Sequence, residues 1–249
     1  MLNCSLKNID SESFKSVFPF PHCIIDNFLN DNTLQKILNV TSKLKLENAT
    51  SKFVNKNCPY EYNKYTYDIS KLPELSYIFN YLNSDSFLSE LSNITGVNNI
   101  IANMKGGIRG SGVHIIKNGG YLGIHTDFNT YNHTNYGKLD RRINILIYLN
   151  PNWKEEYGGH LILRKYNKNA AIKDQIKILP TLNRCVIFNT TKDSWHGHEE
   201  PLNTPTNVLR VSIANYYYTK NNSNNLDFEG EKEHNTRWWN NNFKDIKGN

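Results

Sequence analysis

Residues 143–149, Ile143-Asn-Ile-Leu-Ile-Tyr-Leu149, decide how this chain is read. The run is short, apolar, rich in β-branched residues and bounded by polar and turn-forming positions, which is the signature of a buried strand. Five further runs of the same kind occur at Val113–Ile116, His160–Leu163, Gln175–Leu179, Cys185–Phe188 and Leu209–Tyr218. Short strands at this spacing predict a mainly β domain, a sandwich or jelly roll. The first third of the chain differs. Asp31-Asn32 can cap a helix running to about Lys45, with Leu34, Ile37, Leu38 and Val40 near one face. Leu72–Leu91 carries apolar residues at helical spacing, with a break near Asn83-Ser84-Asp85. No internal repeat and no Pro/Gly/Ser linker divides the sequence. The expected organisation is a supporting region over 1–105, a jelly-roll core over 106–220, and a polar tail over 221–249 packed on the same domain.

The chemistry concentrates in Gly119-Gly-Tyr-Leu-Gly-Ile-His-Thr-Asp-Phe128. His125 and Asp127 are two residues apart, so an extended strand turns both to one face, where imidazole and carboxylate offer adjacent ligands to a divalent metal. Alone, His-x-Asp arises often by chance as a pair of solvated strand residues. A third ligand is available in Ser194-Trp-His-Gly-His-Glu-Glu-Pro201, which holds His196 and His198. Two His and one carboxylate, with coordination positions left open, suit a non-haem Fe(II) centre.

Downstream, Leu209-Arg-Val-Ser-Ile-Ala-Asn-Tyr-Tyr-Tyr218 embeds Arg210 in an apolar strand. A guanidinium facing a barrel interior needs an anionic partner, and its planar fork of donors fits a carboxylate. Ser212 shares that face and can donate a further hydrogen bond. A salt bridge to a carboxylate of the protein itself is the competing reading of Arg210.

His-x-Asp, a distal His and Arg-x-Ser in this order resemble the Fe(II)/2-oxoglutarate-dependent dioxygenases, specifically the prolyl 4-hydroxylase-like branch. Arg142-Ile-Asn-Ile-Leu-Ile-Tyr-Leu-Asn150, Trp153 and Gly158-Gly-His-Leu-Ile-Leu163 resemble the strand and turn that follow the His-x-Asp there, and Phe20-Pro-His-Cys-Ile-Ile-Asp-Asn-Phe-Leu29 resembles the usual entry. The resemblance implies a double-stranded β-helix (jelly roll, cupin-like) with N-terminal helices. It implies iron held by His125, Asp127 and His196, the last because it precedes Gly197, with His198 beside the metal or facing substrate. It further implies that Arg210, Tyr148 and Ser212 hold 2-oxoglutarate. The implied reaction is hydroxylation of an unactivated C–H bond of a prolyl residue in a protein or peptide, or of a small molecule, with O2 consumed and succinate and CO2 formed. Ascorbate as reductant belongs to the same implication. The carboxylate at Asp127 favours hydroxylation over halogenation, which needs that ligand position open. Animal collagen prolyl 4-hydroxylases carry Lys where this chain has Arg210, which places it in a different sub-branch. A jelly-roll binding module that keeps the metal site without turnover is the alternative.

Composition excludes other classes. Aromatics at 12% argue against a disordered chain. The net charge of +6 comes from 22 Lys dispersed among many Asn, with seven Arg. No basic cluster of the kind nucleic acid requires is present. The second Arg found downstream of the first in nucleic-acid demethylases of this superfamily is also missing. No signal peptide or membrane span is evident, and four scattered Cys (Cys4, Cys23, Cys58, Cys185) fit neither a disulfide framework nor a thiolate zinc site. A reducing, cytoplasmic setting without membrane association is expected. His114 and His160 read as packing or turn residues. Tyr131, His133 and Tyr136 lie in a polar segment, 129–140, that could rim the site. Lys52–Tyr67, with Tyr60, Tyr62, Tyr65 and Tyr67, is a candidate lid, and Trp238 and Trp239 are expected to pack back on the domain. The motif Glu231–Trp239 has no role assigned by sequence.

Overall fold

The computed structural model describes residues 1–3, 5–102, 110–165, 174–221 and 233–239, and the backbone of 246–247. Cys4 and Glu231 therefore lie outside the described residues, and the other three cysteines form no disulfide among the described residues. In chain order the helices are α1 (Ser11–Ser16), α2 (Asp31–Thr41), α3 (Ser76–Leu82) and α4 (Asp85–Thr95). The early strands are β1 (His22–Ile25), β2 (Ser51–Phe53) and β3 (Glu61–Asp68). Then follow β4 (Gly112–Thr126), β5 (Thr130–His133), β6 (Gly137–Tyr148), β7 (Leu161–Arg164) and β8 (Gln175–Ile178). The last are β9 (Cys185–Asn189), β10 (Trp195–His198), β11 (Arg210–Lys220), β12 (Arg237–Trp238) and β13 (Ile246–Lys247).

Helix ends follow local chemistry. The Asn30 side chain accepts from Thr33 N and starts α2 one residue ahead of the expected cap. Ser84 accepts from Phe87 N and starts α4, which places the expected break between α3 and α4 at Asn83-Ser84. Gly96, at φ 72°, ends α4 in the left-handed conformation that a residue without Cβ adopts most easily.

The strands run antiparallel in the order β1-β9-β6-β11-β4-β10-β7-β8 and curl into a half-barrel. Strand β4 ties its two walls together. Its first half pairs with β11, Gly112 opposite Ala214 through Ile116 opposite Arg210. Its second half pairs with β10, His125 opposite His196. Side-chain alternation then sorts residues between two environments. Ile143, Ile145 and Ile147 of β6, with Val113, Ile115, Ile213 and Tyr217, join Leu34, Ile37, Phe79, Leu82, Leu91 and Ile94 of the helices in the main core. Asn144, Leu146 and Tyr148, with His114, Ile116, Arg210, Ser212 and Tyr216, turn to the opposite face and line a cavity. Helices cover one face and the half-barrel encloses the other, which is why Ile143–Leu149 is apolar at nearly every position. Each fully buried Leu or Ile in that core contributes about 1.5–3 kcal/mol.

Two segments differ from expectation. Lys52–Tyr67 is not a lid. Residues 61–68 form β3, which lies in the sheet beside β4 from Leu122 back to Gly112, and Tyr65 and Tyr67 are buried in the core. The polar segment 129–140 is a hairpin of β5 and β6, with Thr130 opposite Asp140. Within it His133 is buried against Tyr131 and Tyr136, at ring distances of 5.8 and 5.0 Å, away from the cavity. Among the described residues no helix is long and apolar enough to cross a membrane.

Candidate metal centre and anion pocket

Pairing β10 against β4 brings His125 and His196 face to face across the ladder, with ring centroids 4.5 Å apart. Gly197 allows this approach. A Cβ there would lie 2.5 Å from the Gly123 carbonyl oxygen and 2.8 Å from that of Leu122. Asp127 follows one residue beyond the end of β4. Its Oδ1 is 3.8 Å from His125 Nε2, and its Oδ2 is 3.5 Å from His196 Nε2. The three ligand atoms fall within 4.8 Å of one another, a cluster that could hold a metal ion.

Local hydrogen bonds point the ligating atoms. His125 Nδ1 donates to Gly123 O at 2.9 Å, and His196 Nδ1 donates to Ser194 O at 2.9 Å. A carbonyl only accepts, so each ring carries its proton on Nδ1 and leaves the Nε2 lone pair free for a metal. Burial, reinforced by the neighbouring His196, lowers His125 to about 3, and burial lowers His196 as well. Both imidazoles are neutral at pH 7. For Asp127 burial alone would raise the carboxyl, but Arg141, the two histidines and the Asn144 amide together hold it well below the usual carboxylate range. The cluster therefore presents two neutral imidazoles and one carboxylate, the donor set that suits Fe(II).

Sequence reading missed the groups that hold Asp127. Arg141 Nη2 lies 3.0 Å from Asp127 Oδ2, and its guanidinium sits 3.8 Å from the Tyr216 ring centroid and 4.8 Å from that of Phe128. Asn144 Nδ2 donates to Asp127 Oδ2 at 2.8 Å, while Asn144 Oδ1 accepts from Arg141 Nε and Nη2 at 3.1 and 3.0 Å. The available signal was Asn144 alone among the apolar residues of 143–149, with a pair of Arg just before it.

At the other end of the same cavity of about 120 Å³ lie Arg210, Tyr148 and Ser212. Arg210 is 6% exposed. Its Nε donates to Gly159 O at 2.8 Å, and its Nη2 reaches Tyr148 Oη at 3.5 Å. Among the described residues no carboxylate pairs with it, so the alternative of an internal salt bridge is not met there. Burial pulls its pKa down, as expected for a cation short of a counter-charge. Ser212 stands directly across the ladder from Tyr148. His198 lines the cavity too, is 3% exposed, and finds no hydrogen-bond partner for either ring nitrogen among the described residues. Leu122, Leu146 and Leu161 supply apolar wall between the two ends.

His160 and His114 lie outside the metal cluster. His160 bonds Glu155 Oε1 at 2.8 Å in a turn. His114 Nε2 bonds the Gly110 carbonyl at 2.9 Å, and its ring reaches the cavity wall.

Residues 111–218 match the family model of the 2OG-Fe(II) oxygenase superfamily. The match spans a little under half of the chain, and the matched segment contains the whole cluster and the whole anion pocket. Part of the chain is similar to prolyl 3-hydroxylase OGFOD1 of Mus musculus, 33% identical over 79 residues, which is 31% of this chain and 14% of that protein. The chain thus spans a small part of the length of this relative. Among solved structures, the fold is similar to a prolyl hydroxylase from Trichoplax adhaerens in complex with a hypoxia inducible factor oxygen degradation domain peptide fragment. The TM-score is 0.56 at 21% identity, covering 86% of this chain and 89% of that one. A prolyl 4-hydroxylase from Phytophthora capsici aligns with a TM-score of 0.53 at 17% identity, over 93% of this chain and 72% of the other. At these identities the likeness is one of fold: the matched segment and its surroundings share a jelly-roll architecture.

Proposed function

We propose that this chain is an Fe(II)- and 2-oxoglutarate-dependent dioxygenase that hydroxylates an unactivated C–H bond in the manner of prolyl 4-hydroxylases. One observation carries the reading. A His-His-Asp cluster and a buried Arg with no carboxylate partner among the described residues face each other across one small cavity. His125, Asp127 and His196 would hold iron. Arg210, with Tyr148 and Ser212, would hold the distal carboxylate of 2-oxoglutarate, and the unpaired nitrogens of His198 leave a donor free for the same molecule. The assignment gives catalysis to the jelly roll of 106–220, with 1–105 supporting it and the described residues 233–239 packed against it.

With iron bound, O2 is divided between 2-oxoglutarate, which leaves as succinate and CO2, and a substrate C–H bond, which becomes C–OH. The chain's own residues do the positioning. Arg210 fixes one end of the dicarboxylate by a charge-assisted pair. Gly123 O and Ser194 O fix both imidazoles, and Arg141 with Asn144 keeps Asp127 ionised and aimed. Leu122, Leu146 and Leu161 give the cavity an apolar wall, which lowers the local polarity and strengthens each of these interactions. A second cavity of about 410 Å³ adjoins the first and shares Lys64, His114, Arg141 and Tyr216 with it. It is the natural place for substrate. The prolyl hydroxylases among the relatives favour a prolyl residue in a protein or peptide, and a small molecule is the other class.

The test is direct. The protein is purified anaerobically, loaded with Fe(II), 2-oxoglutarate and ascorbate, and exposed to O2 while succinate is measured against His125→Ala and Arg210→Ala. Proline-rich peptides, free amino acids and sugars are supplied in turn, and calorimetry follows 2-oxoglutarate binding. Succinate above both variants, rising with one substrate class, supports the reading. Binding of 2-oxoglutarate without succinate from any substrate would point instead to a binding module.

A further inference from the structure

Glu233–Trp239, the described part of the motif Glu231–Trp239 to which sequence gave no role, touches His125 of the candidate metal centre and residues beside its other two ligands. Strand β4 has two edges at its metal-bearing end. One pairs with β10. The other is covered by β3 only as far as Leu122, opposite Glu61, and β12 takes over from there, with Trp238 opposite His125 and Arg237 opposite Thr126. Trp239 N donates to Ile124 O at 2.7 Å, and Arg237 Nε donates to Thr126 Oγ1 at 3.2 Å. Two residues past Asp127, His234 N donates to Asn129 Oδ1 at 2.9 Å. Beside His196, Trp195 meets the Trp239 ring edge-on at 5.0 Å and the Arg237 guanidinium at 5.4 Å.

Trp238 makes the closest approach to the cluster. Its indole lies 5.0 Å from the His125 ring and stacks at 4.8 Å on Tyr60. His125 thus stands against His196 and Trp238, and the indole limits how far the ring can tilt about its bond to Gly123. Gly123 lies beside this contact: a Cβ there would sit 3.2 Å from the Tyr60 carbonyl oxygen and at ordinary contact distance, 3.5 Å, from the indole. Groups that orient a metal-bound imidazole typically govern metal affinity by 10- to 100-fold.

We propose that Trp238 is a positioning residue for His125 and that strand β12 is a built part of the metal centre. The inference rests on the metal-site reading above. Trp238 touches neither substrate nor metal; it acts through the orientation of the imidazole.

The experiment is titration of the metal-free protein with Co(II) alone, followed by calorimetry and by the visible d–d bands, which report ligand geometry independently of turnover. Wild-type protein is expected to bind one Co(II), and Trp238→Leu to bind it about 10- to 100-fold more weakly with altered bands. Trp238→Phe, which keeps an aromatic face against His125, is expected to recover most of the affinity. Near-UV circular dichroism checks folding. Should the Leu variant unfold, Tyr60→Leu removes the other ring stacked on Trp238, and a several-fold loss with the same spectral change is expected. Variants that bind Co(II) with wild-type affinity and spectrum, whatever their thermal stability, overturn the inference and leave the metal site standing. A wild-type protein that binds no Co(II), Mn(II) or Fe(II) overturns the metal-site reading and the inference together.

Discussion

Replacing Arg210 by Met should weaken the bound state and strengthen the empty one. In the 2-oxoglutarate-free protein the guanidinium is buried, donates to Gly159 O and faces no carboxylate among the described residues. Its desolvation is uncompensated, so an apolar replacement of similar length is expected to be neutral or stabilising by about 1–4 kcal/mol. The lost bond to Gly159 O takes back about 1 kcal/mol. Each remaining kcal/mol corresponds to about 2–4 °C of melting temperature in a chain of this size. With the dicarboxylate bound the balance reverses, because removing one partner of a buried charge pair costs about 2–5 kcal/mol. That corresponds to roughly a 30-fold to several-thousand-fold loss of affinity. The assay is thermal melting of the Mn(II)-loaded protein with and without 2-oxoglutarate, with calorimetry for the affinity. At 100 times its wild-type Kd the ligand should stabilise wild type by about 2.7 kcal/mol and Arg210→Met by less than about 1 kcal/mol. Adding 2-oxoglutarate should therefore shift the difference between the two proteins by about 2–3 kcal/mol in favour of wild type. Binding within threefold of wild type, or a fall of more than about 4 °C in the melting temperature without 2-oxoglutarate, would refute the reasoning.

Further outcomes are expected. Asn144→Leu removes the amide between Arg141 and Asp127 and should lower Mn(II) affinity about 10- to 100-fold, measured by calorimetry, with folding retained. Gly197→Ala drives a Cβ into the carbonyls of β4 and should destabilise the protein by about 1–3 kcal/mol in urea while separating the ligand strands. Stability of the metal-free protein should fall with acid. Burial lowers His114 to about 4, His125 to about 3, and His22, His196 and His198 below their ordinary value, so the unfolded chain takes up protons near 6.5 that the folded one refuses. This contribution is whole above pH 6.5 and is lost as pH drops toward 4 and then 3. Asp127, held low in the folded state, adds its own loss only below the ordinary carboxylate value. A melting temperature that is flat between pH 7.5 and 5 would count against these buried neutral histidines.

Much of the molecule is legible in its sequence because the signals are local. Alternation and run length depend on the pleat of a single strand, so the six apolar runs became six strands. Capping by Asn30 and Ser84 depends on three or four residues, so the helices fell close to where they were expected. His125 and Asp127 are two residues apart and carry their relation in the spacing. The aromatic stretch 52–67 misled because tyrosines in a polar setting look the same whether they top a lid or pack in a sheet; only its pairing with β4 distinguishes the two.

The sequence by itself determined a β domain with helices on one side, and a chain with enough metal-ligating and anion-binding residues for oxygenase chemistry. It singled out Arg210 because an Arg is rare here and sits inside an apolar strand. The tertiary structure decided which residues meet. His196 comes opposite His125 through an antiparallel ladder whose register depends on Gly197 admitting the Gly123 carbonyl. Arg141, Asn144 and Trp238 reach the cluster only once the strands that carry them are side by side. Arg210 meets no carboxylate among the described residues because of what the sheet places around it. Spacing along a strand is fixed by covalent geometry, whereas partners across a sheet are chosen by packing among residues distant in the chain.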